Sequence, residues 1–260
     1  MRNEKGRARR PELVYGLAVG AGRVLFGGIL RLKPVVSGIE NIPVSGSAVL
    51  AVTHFGYMDF ALVEWVAWLH TRRHIRFLVM GGAYDKPLVG WVLRAMRHIR
   101  VDMKEGRAAY THAVDALRDG ELVGVFPEAG VSASFTVREL KSGVARMASE
   151  APAPIIPVIV WGGQLLRTKN HRAKLREAFR APVRVAVGAP IVVDATDDPS
   201  LVTARLRERM QALLDEAQTS YPRNGTGQWW QPKHLGGTAP TPEDAATAEA
   251  ERQRRKGGRS

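Results

Sequence analysis

Short apolar segments alternate with longer segments of helical character over about 160 residues in the middle of the chain. This alternation predicts an α/β fold in which a mostly parallel or mixed central sheet is flanked by helices. We predict strands at residues 35–38, 48–53, 76–80, 99–102, 122–126, 155–161 and 184–188, the first of them at a sheet edge. We predict helices at residues 57–69, 87–96, 105–118, 141–149 and 198–218.

A histidine and an aspartate follow the strand predicted at residues 48–53. His54 comes directly after the strand, and Asp59 lies five residues on, near the start of the next helix. A histidine can take a proton from a hydroxyl that attacks a carbonyl, and a carboxylate on its other ring nitrogen fixes the tautomer. A helix alone would separate the two side chains, whereas a turn bearing Gly56 could fold Asp59 back onto His54. Taken alone, the pair is explained better by a surface histidine and a helix-capping aspartate.

A second polar group follows the strand predicted at residues 122–126. The segment Phe126-Pro127-Glu128-Ala129-Gly130 offers a carboxylate beside backbone amides, an arrangement that can bind an anion. Farther on, Arg138, Lys141 and Arg146 are suited to neutralise a phosphate, although such charges on a helix are usually solvated. Pro157 lies inside a predicted strand, which indicates an edge strand or a bulge.

Composition narrows the classes of function. The length of 260 residues fits one large domain with small appendages. The chain has no cysteine, which excludes disulfides, thiolate metal sites and a cysteine nucleophile, and we expect neither a metal site nor a bound cofactor. The net charge of +13 favours polyanionic partners. The basic residues are spread through the chain without a helix-turn-helix or zinc pattern, so we expect an anionic membrane surface rather than nucleic acid.

The two ends differ in character from the middle. We interpret residues 1–33 as a basic arm and a membrane-associating, interfacial helix segment. The alternative for this segment is an ordinary amphipathic helix packed on the main domain, which we place at residues 34–221. Residues 222–260 form a tail that we expect to be partly disordered, especially over residues 251–260. Within the tail, Trp229 and Trp230 either dock on the domain or lie at a membrane interface.

The order of the motifs resembles that of the glycerolipid acyltransferase family, the 1-acylglycerol-3-phosphate acyltransferases. His54 and Asp59 match the family's His-x4-Asp motif, and residues 126–128 match its Phe-Pro-Glu-Gly motif. Residues 140–143 match its Phe-Lys-x-Gly segment, and residues 156–158 match its strand with a fixed proline. The resemblance covers residues 35–190, and four motifs in the right order and spacing make it specific.

The resemblance implies a glycerol-phosphate acyltransferase-like fold for residues 34–221, and acyl transfer from acyl-CoA or acyl-carrier protein to a lysophospholipid hydroxyl. His54 would be the general base and Asp59 its orienting partner. An apolar groove would take the acyl chain, and the protein would act at the cytoplasmic face of the cell membrane as a peripheral or interfacial protein. The residues implied to bind substrate are Phe126, Pro127, Glu128, Ala129, Gly130, Arg138, Lys141, Gly143 and Pro157.

The sequence departs from the family pattern where phosphate would bind. Residues 129–131 stand in place of Gly-Thr-Arg, so the expected arginine is replaced by Val131, in a variant that resembles an actinobacterial branch of the family. Met103 replaces a second arginine, and Arg97 stands where a glycine is usual. The nearby basic residues that would compensate are Arg100 and Lys104. Two alternatives to lysophosphatidic acid acylation therefore stay open: a different lipid acceptor, such as a glycolipid or lipid alcohol, and a non-catalytic basic membrane-binding protein.

Overall fold

A single seven-stranded sheet organises the chain. This computed structural model describes residues 13–102, 106–169, 171 and 174–257. The strands are β1 Val35–Ser37, β2 Ala48–Val52, β3 Ile75–Met80, β4 Ile99–Val101, β5 Leu122–Val125, β6 Ile155–Trp161 and β7 Arg184–Val187. Their order is β1-β7-β6-β2-β5-β3-β4, and neighbours run parallel except for β6 and β7. The predicted α/β fold with a mixed sheet and an edge strand at β1 is confirmed.

Helices cover both faces of this sheet. They are α1 Leu13–Arg23, α2 Asp59–Thr71, α3 Gly81–Tyr84, α4 Pro87–Ala95, α5 Gly106–Arg118, α6 Gly143–Glu150, α7 Leu175–Ala178, α8 Pro199–Thr219 and α9 Pro242–Gly257. Helices α5, α6 and α8 pack side by side along the sheet, while α2 packs against α1 and β6. The five helices predicted between residues 57 and 218 are present, although residue 105 lies outside the described residues. The short α3 and α7, and α9, were not predicted.

The central strands bring the candidate site residues to one edge of the sheet. Every residue of β2, β5 and β6 is buried, because helices cover both faces, and these strands therefore read as continuous apolar runs. Strands β2 and β5 are parallel neighbours, so their carboxyl ends meet. His54 leaves the end of β2 at the same edge as Phe126 leaves the end of β5.

The position of Pro157 decides between the two predictions for that proline. Its strand β6 lies between β2 and β7, so the edge-strand alternative is wrong. Val158 pairs with Val187, whereas Ile155 bridges to Ile191, so the returning chain carries one extra residue opposite Pro157. This bulge accommodates a residue that has no N–H group to donate to the neighbouring strand. The Pro157 carbonyl still accepts a hydrogen bond from the Gly188 N–H at 2.8 Å.

One face of the N-terminal helix is fixed to the domain and the other is not covered. The Tyr15 side chain is fully buried, its hydroxyl donates to the Ile75 carbonyl at 2.7 Å, and its ring stacks on His74 at 3.9 Å. On the outer face, Leu17 is 74% exposed, and Ile29 is 60% exposed in the π-helical continuation Val24–Ile29. In the part of the chain that the structure describes, no helix is long and apolar enough to cross a membrane.

The tail folds back on the domain. Trp230 is 5% exposed and belongs to the main core, and Trp229 stacks on His171 with ring centroids 3.6 Å apart. The prediction that the tryptophans dock on the domain is therefore confirmed. Helix α9 extends to Gly257, into the segment 251–260 that we expect to be disordered, and residues 258–260 lie outside the described residues. Alanine, glutamate and arginine, which are strong helix formers, dominate this segment.

Candidate active site

A tight turn joins β2 to α2 and holds the predicted histidine–aspartate pair. Asp59 is the first residue of α2, and its Oδ2 accepts hydrogen bonds from the N–H of Phe55 at 2.8 Å and of Gly56 at 2.7 Å. These bonds fold the aspartate back over the turn. His54 Nδ1 then lies 3.7 Å from Asp59 Oδ2, so the structure brings the two residues together as the sequence predicts.

Two glycines allow this turn to close. A Cβ atom at Gly56 would lie 2.7 Å from the Gly163 carbonyl oxygen, and one at Gly163 would overlap Asp59 Oδ1. The chain after β6 therefore packs directly on the turn, with the Thr168 hydroxyl donating to the Phe55 carbonyl. Larger residues at either glycine would push the aspartate away from the histidine.

Burial gives Asp59 unusual electrostatics. Its side chain is fully buried, and loss of solvation raises the pKa of the carboxyl, while His54 and the two backbone N–H groups act in the opposite direction. The charged form of Asp59 is therefore stabilised mainly by its immediate partners. At 3.7 Å, His54 Nδ1 and Asp59 Oδ2 are within ion-pair range but form no hydrogen bond, so the carboxylate acts on the imidazole through its charge.

The Phe-Pro-Glu segment completes the surroundings of His54. The Phe126 ring stacks on the imidazole with centroids 4.1 Å apart. Glu128 is buried, its Oε1 accepts the His54 N–H at 3.2 Å, and its Oε2 accepts the Arg138 N–H at 3.2 Å. The Ser132 N–H in turn donates to the His54 carbonyl at 2.8 Å. Glu128 thus links the backbone at His54 to the backbone at Arg138, which gives it a structural role in the site.

Replacement of Glu128 by glutamine is expected to change how stability depends on pH. Burial raises the pKa of Glu128 to about 7 from an ordinary value of 4.5. The folded protein therefore binds a proton that the unfolded chain has lost, so this group's contribution is complete below pH 4.5 and disappears as pH rises through 7. The wild type should lose up to about 3 kcal/mol of unfolding free energy over this range relative to E128Q.

Urea unfolding of both proteins at pH 5, 6, 7 and 8 checks this prediction. The exposed neighbour Glu139 offers a matched control, and E139Q should follow the wild type at every pH. Parallel curves for the wild type and E128Q would contradict the assignment of a raised pKa to this carboxyl.

Two positions where the family has glycine adopt left-handed backbone. Ala129 has φ 54° and Arg97 has φ 57°, in a region that costs other residues about 1 kcal/mol. Arg97 follows the end of α4, where its N–H donates to the Arg94 carbonyl and the His98 N–H donates to the Leu93 carbonyl, as in a Schellman motif. Both positions therefore have the backbone conformation that glycine favours, although neither residue is glycine.

The other predicted substrate-binding residues lie at different distances from His54. The Lys141 N–H donates to the Pro127 carbonyl at 3.0 Å, which brings the segment before α6 against the Phe-Pro-Glu loop, while the Lys141 side chain is exposed. A Cβ atom at Gly130 would contact the Arg138 guanidinium at 3.6 Å. Gly143 begins α6. Pro157 is buried within the sheet, opposite Ala51 and against Gly188, where it packs in the interior.

The positions of the missing arginines are filled differently. Val131 is 8% exposed and packs inward, so this position offers nothing to a phosphate. Met103 and Lys104 lie outside the described residues. Arg100 is held by Asp102 at 2.8 Å and by Asp85 at 3.3 Å. Its charge is therefore already neutralised by two carboxylates, which disfavours it as the replacement.

Two charged residues that the sequence did not single out lie on segments linked to the site. Lys169 follows Thr168, which is bonded to the turn between β2 and α2, and its Nζ lies 3.5 Å from Glu249 Oε1 on α9. Glu249 Oε2 also lies 3.2 Å from the Arg138 guanidinium. In the sequence, the only indication that the segment carrying Lys169 packs against this turn is the pair of glycines that follows β6.

The imidazole is only partly exposed. The His54 side chain is 17% exposed and so reaches the surface. Two cavities, of about 640 and 480 Å³, lie elsewhere: the larger beside His112 and the smaller beside Trp229. Among the described residues, no three histidine, aspartate or glutamate side chains are grouped to hold a metal ion.

Comparison with known proteins gives a consistent result. A family model described as Acyltransferase matches residues 33–161. The chain is 25% identical over 201 residues to 1-acyl-sn-glycerol-3-phosphate acyltransferase of Bacillus subtilis, covering 77% of this chain and 96% of that protein. The chain belongs to the glycerolipid acyltransferase family. The matched family segment contains every predicted site residue, whereas Lys169 and Glu249 lie beyond it.

A solved acyltransferase shares the fold. The crystal structure of the 1-acyl-sn-glycerophosphate (LPA) acyltransferase PlsC from Thermotoga maritima matches with a TM-score of 0.67 at 20% identity, covering 84% of this chain and 86% of that chain. An uncharacterized protein of Mycobacterium tuberculosis is 30% identical over 153 residues, which cover 55% of this chain. The match spans only 40% of the length of that mycobacterial relative.

Proposed function

We propose that the protein transfers a fatty acyl group from acyl-CoA or acyl-carrier protein to the hydroxyl of a lysophospholipid. The proposed acceptor is 1-acylglycerol-3-phosphate, which gives phosphatidic acid. The observation that carries the proposal is the position of His54, partly exposed at the carboxyl end of β2 and 3.7 Å from the buried Asp59 carboxylate. Membership of the acyltransferase family supports the reaction class.

The proposed chemistry requires one base and no cofactor. Nε2 of His54 takes the proton of the acceptor hydroxyl while that oxygen attacks the thioester carbonyl carbon. The resulting tetrahedral intermediate collapses with cleavage of the carbon–sulfur bond, and the imidazolium returns its proton to the departing thiolate. Asp59 stabilises the imidazolium between these steps, since its carboxylate faces Nδ1. Ester and free thiol are the balanced products.

The proposed acceptor depends on cations that could hold a phosphate. Arg138 and Lys169 lie on segments linked to the site and are suited to a phosphate headgroup. The inward-packed Val131, by contrast, favours the second candidate function, acylation of a glycolipid or lipid alcohol without a terminal phosphate. Substrates with and without phosphate therefore have to be compared directly.

We further propose that the protein works at an anionic membrane surface, on the cytoplasmic face. The supporting feature is a set of exposed apolar side chains, called here the apolar patch: Leu17, Val24 and Ile29 on α1 and its continuation, with Leu88 and Trp91 on α4, which contacts α1; each is at least 56% exposed. Patches of this kind on otherwise soluble folds mark interaction sites. The net charge of +13 adds attraction to anionic lipids.

The double substitution L17S/I29S is expected to weaken binding to anionic vesicles by at least about tenfold, because two large apolar side chains no longer enter the bilayer. Co-sedimentation with vesicles containing phosphatidylglycerol measures the effect. L201S is the matched control, since Leu201 is 70% exposed on the remote α8. Equal losses for L201S and L17S/I29S would contradict the patch. Deleting residues 1–32 instead would remove the buried Tyr15 and disturb the core.

The proposed function is tested by measuring transfer from long-chain acyl-CoA and from acyl-carrier protein to a panel of acceptors. The panel contains lysophosphatidic acid, other lysophospholipids, a monoacylglycerol and a glycolipid. Turnover with lysophosphatidic acid supports the proposed acceptor, and turnover only with phosphate-free lipids supports the second candidate. The absence of turnover with either donor and every acceptor would overturn acyl transfer as the function.

A further inference from the structure

A carboxylate on α9 forms ion pairs with two basic side chains whose segments contact the candidate active site. Glu249 on α9 places Oε2 3.2 Å from the Arg138 guanidinium and Oε1 3.5 Å from Lys169 Nζ. All three side chains are between one fifth and one third exposed, so the group lies at the surface rather than in the core. One carboxylate thus bridges two positive charges that come from separate segments of the chain.

Both cations are tied to the residues around His54. The backbone N–H of Arg138 donates to Glu128, whose other carboxylate oxygen accepts the His54 N–H. Lys169 follows Thr168, whose hydroxyl donates to the Phe55 carbonyl within the catalytic turn. The segments that carry Arg138 and Lys169 are therefore both linked to the turn that carries the proposed base.

The helix that carries Glu249 is weakly attached. Among the α9 side chains that the structure describes, all except Ala245 and Glu249 are exposed. The chain just before the helix is firmly fixed, since Ala239 is 3% exposed and its N–H donates to the Gln231 carbonyl. A carboxylate held about ten residues from a fixed point has a local concentration on the order of millimolar. Glu249 can thus act as a tethered competitor.

We propose that Glu249 determines acceptor specificity by occupying the anion position between Arg138 and Lys169 until a phosphate monoester displaces it. This inference rests on the proposed function. A phosphate monoester carries a charge of roughly −1.5 to −2 and three acceptor oxygens, so it can satisfy both cations better than one carboxylate. A neutral acceptor gains nothing by displacing Glu249 and therefore has to bind with α9 in place.

The experiment compares full-length wild type with E249Q and the control E251Q, which removes the same charge two residues along α9 at an exposed position. Calorimetry measures binding of a short-chain 1-acylglycerol 3-phosphate below its micelle concentration, the matching monoacylglycerol, inorganic phosphate and coenzyme A. E249Q should bind phosphate-bearing probes about three- to tenfold more tightly, since the competing state is lost. The monoacylglycerol should bind E249Q and the wild type equally.

Further variants identify which contact causes any increase in affinity for phosphate-bearing probes. In the R138Q/K169Q background, E249Q should no longer tighten phosphate binding, because both cations that Glu249 neutralises are then absent. A gain with the lysolipid alone assigns the position to the acceptor, whereas a gain with coenzyme A alone overturns acceptor specificity in favour of the donor. If inorganic phosphate also binds E249Q more tightly than the wild type, the position recognises the phosphate headgroup without the glycerol.

The inference is overturned if E249Q and E251Q bind every probe alike, or if the phosphate-free probe gains as much as the lysolipid. These binding measurements do not depend on turnover. Failure of acyl transfer with unchanged binding gains would therefore reject the proposed function alone, and active enzyme without a Glu249 effect would reject only this inference.

Discussion

Replacing His54 by alanine is expected to lower kcat/KM for acyl transfer by at least about a thousandfold, because no other base is placed to take the hydroxyl proton. Both hydrogen bonds that His54 makes to Glu128 and Ser132 use its backbone, so alanine keeps them. The variant loses the ring contact with Phe126, which is worth about 1 kcal/mol, and should therefore remain folded.

The measurement is initial-rate kinetics on the best acceptor of the panel, with thermal unfolding of the same samples. H70A is a suitable control, since His70 is an exposed histidine on α2 and should leave both quantities near their wild-type values. If H54A kept a tenth or more of the wild-type rate, His54 could not be the base, and the proposed chemistry would have to be abandoned.

Comparison of D59N with D59A is expected to separate the effect of the Asp59 charge on the rate from the effect of its acceptor oxygen on stability. A single oxygen, Oδ2, accepts the N–H groups of both Phe55 and Gly56. Asparagine can place its carbonyl oxygen there, so the turn is preserved and a costly buried charge is removed. We expect D59N to be as stable as the wild type but about a hundredfold slower, because the imidazolium loses its counter-charge.

Alanine removes the acceptor itself. Two buried N–H groups then have no partner, and D59A should lose about 3 kcal/mol of unfolding free energy as well as activity. Urea unfolding and initial rates on the three proteins distinguish the two effects, and D119N, at an exposed residue after α5, controls for loss of a carboxylate. Equal destabilisation of D59N and D59A would show that the charge, rather than the acceptor oxygen, holds the turn.

Most of the fold could be predicted from local sequence patterns. Strands such as β2 and β6 are buried on both faces, so their apolar runs are unmistakable, and Asp198 with Pro199 marks the start of α8 by its capping chemistry. The turn that brings Asp59 to His54 was raised as one of two explanations for this pair, and it is closed by hydrogen bonds from the N–H groups of Phe55 and Gly56 to Asp59. These features depend on residues that are neighbours in the chain.

Features that depend on distant residues were not foreseeable. Pro157 was expected at an edge or a bulge, and only the pairing with β7 shows which, since the extra residue lies on the partner segment. The contact of Lys169 with Glu249 joins positions 80 residues apart, and neither has a local pattern that distinguishes it from other surface charges. The exposed α9 gave no apolar periodicity from which its position could be inferred.

The burial of Tyr15 has a consequence for how the enzyme would meet its substrates. Because this side chain bonds to Ile75 at the start of β3, α1 with its outward apolar residues is linked directly to the sheet that carries His54. On the proposed function, this link would fix the depth of the imidazole relative to the lipid headgroups. Acceptors would then be sorted by how far their free hydroxyl lies from the bilayer midplane, in addition to their headgroup charge.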